Sequence, residues 1–288
     1  MRDLPLIVIV GPTASGKTSL AIDIAKQFGG EIICADSRTV YIGMDIGTAK
    51  PSRAEQAMVP HWALDLVEPG QRFTAADFKE YANKKIAEIR SRGNIPMIVG
   101  GTGLYVDGVI FDYKFGDDVN TTQREKLDEM SLEQLHKYCE KNNVELPENK
   151  QNKRYVIRAI EQKSINVKRR DQPIDNTIVV GISTEREELR TRISARTEQL
   201  FANGVVEEAK MLGKKYGWEN EVMTGNIYPI ARQLLNGEIS ENEAKSKFTT
   251  QDWHLAKRQL TWFKRRQSIV WLSLLDAKRY LQKVLTVV

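Results

Sequence analysis

At 288 residues, 41% of them hydrophobic and 28% charged, the chain can bury a large core and reads as one domain with an insertion, not two independent domains. No apolar run approaches the roughly 18 residues that span a bilayer, no secretory pattern precedes the first strand, and two cysteines, Cys34 and Cys139, build no disulfide or metal framework. A membrane protein and a disulfide-stapled secreted scaffold are excluded, and a soluble protein with two free thiols in a reducing cytoplasm is expected. The net charge of +5 is modest, but its placement is informative. Lys163, Lys168, Arg169 and Arg170 cluster mid-chain, and Lys257, Arg258, Lys264, Arg265 and Arg266 cluster near the end. Either cluster suits a phosphate-rich partner or a solvated helix face.

In chain order, LIVIV (6–10) is a continuous apolar run followed by GPTASGKT (11–18), and Ser19 to Phe28 then reads as a helix. EIICA (31–35), PMIVG (96–100) and TIVVGI (177–182) are further runs of this type; SIVWL (268–272) is another candidate and HWALD (61–65) a weaker one. Runs without alternation indicate strands covered on both faces, as in a parallel sheet. Thr74 to Arg92 has Thr74 as cap and Phe78, Tyr81, Ile86 and Ile89 at helical spacing. The segment from 116 to 172 is polar, helix-rich and without a strand pattern. Glu185 to Gly213 is helical, and Ser240 to Arg266 reads as one long basic helix capped by Ser240 with Glu243 three residues on. The expectation is an α/β fold with a parallel sheet core flanked by helices, formed by 1–115 and 173–288, and a helical insertion at 116–172.

Three stretches carry chemistry. Gly11 to Thr18 fits G-x-x-x-x-G-K-[ST] between a strand and a helix: backbone N–H groups from Gly11, Pro12, Thr13, Ala14, Ser15 and Gly16 surround an anion (proline excepted), Lys17 adds a charge, and the Thr18 hydroxyl can bind Mg²⁺. ADSRTVYIGMDIGTAKP (35–51) places Asp36 and Ser37 at a strand end, where open α/β sheets bind ligands. There Asp36 can hold a metal, act as general base or cap a turn. Gly43, Gly47 and Pro51 make the rest an ordered loop. IVGGTGLYVDG (98–108) puts Gly100, Gly101 and Gly103 around Thr102, letting backbone approach a ligand closely. An acidic residue closing an apolar strand, usual in NTP-hydrolysing proteins with this loop, is missing. Asp36 and Asp65 are the substitutes within reach of the pattern.

These stretches, with PHWALD, Arg124, RYVIRAIE, REELRTRISAR, GVVEEAKML and AKRQLTWF, resemble the tRNA dimethylallyltransferase (tRNA isopentenyltransferase) family over nearly the whole chain. The resemblance implies a phosphate loop that holds dimethylallyl diphosphate with Mg²⁺, and an adenosine N6 beside the anticodon of tRNA that attacks the allylic carbon. It further implies Asp36 as general base, with Lys17 and Thr102 also catalytic, Thr102 orienting the adenine. Arg186 and Arg196 would assist the diphosphate, and Thr18 would hold the metal. Asp36, Ser37, Arg38, Thr39, Thr102, Arg124, Arg154, Tyr155, Val156, Ile157 and Arg158 would contact the tRNA anticodon stem-loop, the insertion gripping the stem. The protein would be a cytoplasmic monomer without the zinc-finger extension of eukaryotic members. Trp262 and Phe263 read as core residues, not as base-stacking ones.

The chain departs from the family pattern at Thr39, where Gln is usual, at Tyr155, where Arg is common, and in DWHLAKRQ, which puts Asp252, Trp253 and Leu255 where Thr, Arg and Tyr are common. NIYPIA around residue 228 also differs. The diphosphate loop is intact, so retained chemistry with retuned RNA recognition is expected. An enzyme prenylating AMP, ADP or ATP and a phosphate-loop small-molecule kinase are the alternatives.

Overall fold

Every residue of Leu6–Val10 is buried, and so is every residue of Gly30–Ala35 and Ile95–Gly100, as runs covered on both faces require. The computed structural model describes residues 4–115, 121–147, 149–162, 169–225 and 227–287. Among them, the strands are β1 Leu6–Val10, β2 Gly30–Ala35, β3 His61–Trp62, β4 Ile95–Gly100, β5 Thr177–Ile182 and β6 Val270–Leu272. They form one parallel sheet in the order β3-β2-β4-β1-β5-β6. The α/β expectation holds. Two of the six runs are shorter than their sequence patterns: β3 keeps two residues of HWALD and β6 three of SIVWL, because each lies at a sheet edge with one neighbour.

The helices are α1 Lys17–Phe28, α2 Arg53–Met58, α3 Ala75–Ser91, α4 Gly103–Ile110, α5 Thr121–Glu129, α6 Leu132–Lys141, α7 Lys153–Gln162, α8 Arg186–Ala202, α9 Val205–Tyr216, α10 Tyr228–Leu235, α11 Glu241–Lys264 and α12 Leu274–Thr286. Thr74 caps α3 and Ser240 caps α11, each in a reciprocal capping box, with Asp77 and Glu243 respectively. The helical stretch expected from Glu185 to Gly213 is two helices, broken at Asn203 and Gly204. Helices α1 and α12 bury Ile22, Ile24, Ala277 and Leu281 against Ile7, Ile9, Ile32 and Met97 of the sheet. At roughly 1.5–3 kcal/mol for each large apolar side chain, this cluster anchors the strand ends that carry the site. Phe263 is fully buried, as expected of a core residue; Trp262 is half-buried and donates its indole N–H to Asp107 at 3.0 Å.

The chain divides into two compact units, Met1–Val109 with Asp175–Val288, and Ile110–Ile174. The second unit has its own small core of Leu127, Leu135, Cys139, Val156, Ile157 and Ile160. No helix among the described residues is long and apolar enough to cross a membrane.

Candidate active site

Helix α1 begins with neither a side-chain cap nor, unlike α9 with its Glu207 and Glu208, an acidic first turn. Helices α2, α3, α6 and α11 each start with a Ser or Thr whose side chain accepts a backbone N–H. Helix α1 starts at Gly16 in the left-handed conformation, with no side-chain cap and no acidic residue in its first turn. No side chain caps its leading N–H groups, and the helix dipole there favours negative charge. Thr13 through Thr18 line an open cavity of about 840 Å³ at the carboxyl ends of the central strands.

Lys17 is held in the loop by donating to the Pro12 carbonyl at 2.6 Å. Burial and, second, the charge of Arg196 push its ammonium down to about 8, with Asp36 and Asp252 acting in the opposite sense. Asp36 follows β2 directly and lines the same cavity. Its Oδ1 accepts the Arg38 N–H at 2.8 Å, and the Thr102 hydroxyl oxygen accepts the Ser37 N–H at 3.0 Å. Thr102 thus fixes the turn that aims Asp36. The Arg38 guanidinium donates to the Val222 carbonyl at 3.4 Å. Thr39 is buried, and its hydroxyl donates to the Asp36 carbonyl at 3.4 Å, so it serves the turn.

Glycines 101 and 103 are needed for a reason other than the one expected from sequence. A Cβ on Gly101 would come within 2.1 Å of Gln259 Nε2, and one on Gly103 within 2.2 Å of the Trp262 ring. The close approach is by α11, although Gly101 also lines the cavity. Asp65, a candidate metal ligand, is paired with Lys50 at 2.6 Å, and Lys50 also holds Asp45 at 2.6 Å and the Tyr41 carbonyl at 2.9 Å. Glu208 of α9 accepts the N–H groups of Asp45, Ile46 and Gly47 at 2.9, 2.6 and 2.8 Å, and the Tyr228 hydroxyl at 3.0 Å. These two buried anchors order the GMDIGTAK loop along the cavity.

Of the two arginines expected at the diphosphate, Arg196 lines the cavity: its guanidinium donates to the Thr13 hydroxyl and pairs with Asp252 at 3.6 Å. Arg186 does not. It is exposed at the start of α8 with its guanidinium 5.8 Å from the Trp253 ring, beside Arg190 at 4.9 Å. Arg192, one helical turn before Arg196 on the same face, takes its place: it lines the cavity and donates to the Ser15 carbonyl at 3.3 Å. Three further residues, to which their sequence patterns assign no site role, reach the cavity. Arg192 lay in a charge-rich helix without a distinguishing signal; Gln259, which accepts the Thr13 N–H at 2.8 Å, and Asp252 both sit on α11. Asp252 is 4% exposed, and burial raises its carboxyl above the ordinary range although Arg196 and Lys17 oppose the shift. Its Oδ2 has no hydrogen-bond partner.

In the helical unit, Arg124 bonds both oxygens of Glu161, at 2.9 and 3.0 Å, and Asp128 at 3.1 Å. Arg158 pairs with Glu161 at 3.2 Å. Arg154 and Tyr155 are exposed. Val156 and Ile157 are core residues of this unit, so their side chains offer no surface to RNA. Of the two basic clusters, Lys163 and Lys168 lie outside the described residues. Lys257, Arg258, Lys264 and Arg265 are exposed, whereas Arg266 is bound to buried Asp107 at 2.6 Å and is spent inside the fold.

A parallel α/β sheet with a G-x-x-x-x-G-K-[ST] loop after β1 and a carboxylate after β2, two strands away, defines an α/β protein that gathers an anion-suited loop and an acidic side chain at one cavity. A family model, that of the IPP transferases, matches residues 39–266. The tRNA dimethylallyltransferase of Staphylococcus carnosus is 38% identical over 286 residues, covering 93% of this chain and 90% of the relative. The chain belongs to the IPP transferase family. The crystal structure of the tRNA isopentenylpyrophosphate transferase of Bacillus halodurans is similar with a TM-score of 0.74 at 32% identity, covering 98% of this chain and 97% of that one. A eukaryotic dimethylallyltransferase solved acting on tRNA shares the fold, with a TM-score of 0.79 at 22% identity over 94% of this chain and 74% of that one.

Proposed function

We propose that the chain transfers the dimethylallyl group of dimethylallyl diphosphate to N6 of the adenosine 3′-adjacent to the anticodon in tRNA, releasing pyrophosphate. The observation that carries this reading is the shared cavity: the phosphate loop after β1 and Asp36 after β2, two strand ends separated by β4, face one space in a chain of the IPP transferase family. The allylic C–O bond breaks with its electron pair going to the pyrophosphate. The N6 lone pair forms the new C–N bond, and the N6 proton passes to the Asp36 carboxylate. Leaving-group charge is met by the loop N–H groups, Lys17, Arg192 and Arg196. A conjugated amine is a poor nucleophile, and a placed carboxylate contributes roughly 10²- to 10⁴-fold.

Mg²⁺ fits this site. Bound with a diphosphate it takes most of its ligands from phosphate oxygens and water, and a cavity-lining Thr18 hydroxyl with an unsatisfied buried carboxylate oxygen nearby suits it. When bound, the ion neutralises the departing pyrophosphate. The helical unit is the proposed grip on the anticodon stem, through Arg124, Arg154, Tyr155 and Arg158. The unpaired, buried Cys34 and Cys139 suit a reducing cytoplasm, and burial pushes the Cys34 thiol up to about 12, which keeps it inert beside the reaction.

The test is nucleoside analysis of unmodified tRNA incubated with the protein, dimethylallyl diphosphate and Mg²⁺. Wild type is expected to yield N6-dimethylallyladenosine beside the anticodon. Asp36→Ala is expected to bind tRNA with little change while transfer slows at least about a hundredfold. Unchanged turnover would remove Asp36 as the base.

A further inference from the structure

Among the described residues, the strand ends offer the phosphate-loop threonine one unpaired candidate carboxylate, Asp36, which the proposed reaction uses as base: β4 closes on Gly100, and Asp65 is paired with Lys50. The cavity also holds a second carboxylate, whose pairing with Arg196 leaves one oxygen without a hydrogen bond. Asp252, from the middle of α11, lines it together with Thr13, Lys17 and Thr18. The side chain is 4% exposed, and Oδ2 has no hydrogen-bond partner. Arg196 pairs with Oδ2 in charge at 3.6 Å, beyond hydrogen-bond distance, while its guanidinium donates to the Thr13 hydroxyl. Lys17 spends one of its own on Pro12.

A buried carboxylate oxygen with an ion pair at one side but no hydrogen bond has an open lone pair for a donor or a second cation. The substrate makes the choice. A diphosphate offers no proton donor, and its negative charge is repelled by a neighbouring carboxylate in a site of low dielectric. A divalent cation between the two anions converts that repulsion into attraction. Mg²⁺ is ordinarily held by phosphate oxygens together with one or two carboxylates.

We propose that Asp252 is a carboxylate ligand of the divalent cation that accompanies the diphosphate, completing from α11 the metal site that Thr18 begins on α1. The inference rests on the proposed diphosphate-binding role of the loop. It gives a physical reason for an Asp at a position where the family pattern has Thr: the ion here gains a protein anion that a hydroxyl does not supply.

The experiment is calorimetric titration of inorganic pyrophosphate into wild type, Asp252→Asn and Asp252→Thr, with Mg²⁺ and separately in EDTA. Mn²⁺ binding is followed in parallel by electron paramagnetic resonance, and thermal melts check that both variants fold. Asn keeps the shape of the side chain, and Thr is the residue common in the family, so one of the two serves if the other melts early. Wild type is expected to bind pyrophosphate more tightly with Mg²⁺. Both variants are expected to lose at least tenfold of that enhancement and of the pyrophosphate-dependent Mn²⁺ affinity, and to bind as well as wild type or better in EDTA. Retention of the full Mg²⁺ enhancement overturns the proposal, and so does an equal loss with and without metal, which would make Asp252 a positioning partner of Arg196. If wild type binds no pyrophosphate under either condition, the diphosphate reading of the loop itself fails.

Discussion

Lys17 governs how the loop responds to pH. In the folded protein its ammonium is lowered to about 8, chiefly by burial and then by Arg196. If the loop holds the diphosphate as proposed, the charged form attracts it, and below this value the free loop is already in its binding form. Above it the free loop is neutral at Lys17, and binding must first take up a proton. Affinity for dimethylallyl diphosphate is therefore expected to be flat below about pH 7 and to fall by roughly tenfold per unit well above pH 8. Lys17→Met should bind more weakly at pH 7 and lose the alkaline slope. A wild-type slope that begins only near pH 10 would show that Lys17 keeps its ordinary value. At this scale the sequence was legible for residues inside a local pattern, Gly11 to Thr18 and Asp36, because strand, loop and helix follow each other directly. Asp252 and Gln259 reach Thr13 across more than two hundred residues, and helical periodicity does not reveal which end of a sheet a distant helix turn will face. Arg186 shows the same blindness from the other side: its charge suited the role, and its place at the start of α8 put it on the surface.

Among the elements, the loop between β2 and α2 depends most on a single distant side chain. Glu208, on α9, satisfies three consecutive backbone donors and the Tyr228 hydroxyl. Burial and the adjacent Glu208 carboxylate raise the Tyr228 hydroxyl far above its usual range, so it remains a donor. Glu208→Ala leaves these groups without an acceptor, at a cost on the order of 3 kcal/mol or more. The expected result is a Tm lowered by roughly 5–10 °C and a weaker apparent affinity for both substrates, since residues 45–49 line the cavity. Glu208→Gln keeps one acceptor and should lose about half as much. An unchanged melting curve for the Ala variant would contradict the anchoring role. The continuous apolar strands and the Ser and Thr caps were readable because their causes are local. The break at Gly204 was not, since the residues on either side of it share one helical pattern.

For the whole molecule, the proposed catalytic site and the proposed RNA grip lie in different units of the chain. The sheet unit carries the cavity, and the Ile110–Ile174 unit carries Arg124, Arg154, Tyr155 and Arg158 on a core of its own. An enzyme acting on free adenine nucleotides needs the first unit only. The choice of acceptor is thus the property that the architecture bears on most. Radiolabelled dimethylallyl diphosphate offered with Mg²⁺ to equal concentrations of unmodified tRNA, AMP and ATP tests it in one measurement. Label is expected on tRNA, at the adenosine beside the anticodon, with none on AMP or ATP. Label on AMP or ATP with none on tRNA would contradict the account, and so would ATP turnover without prenyl transfer.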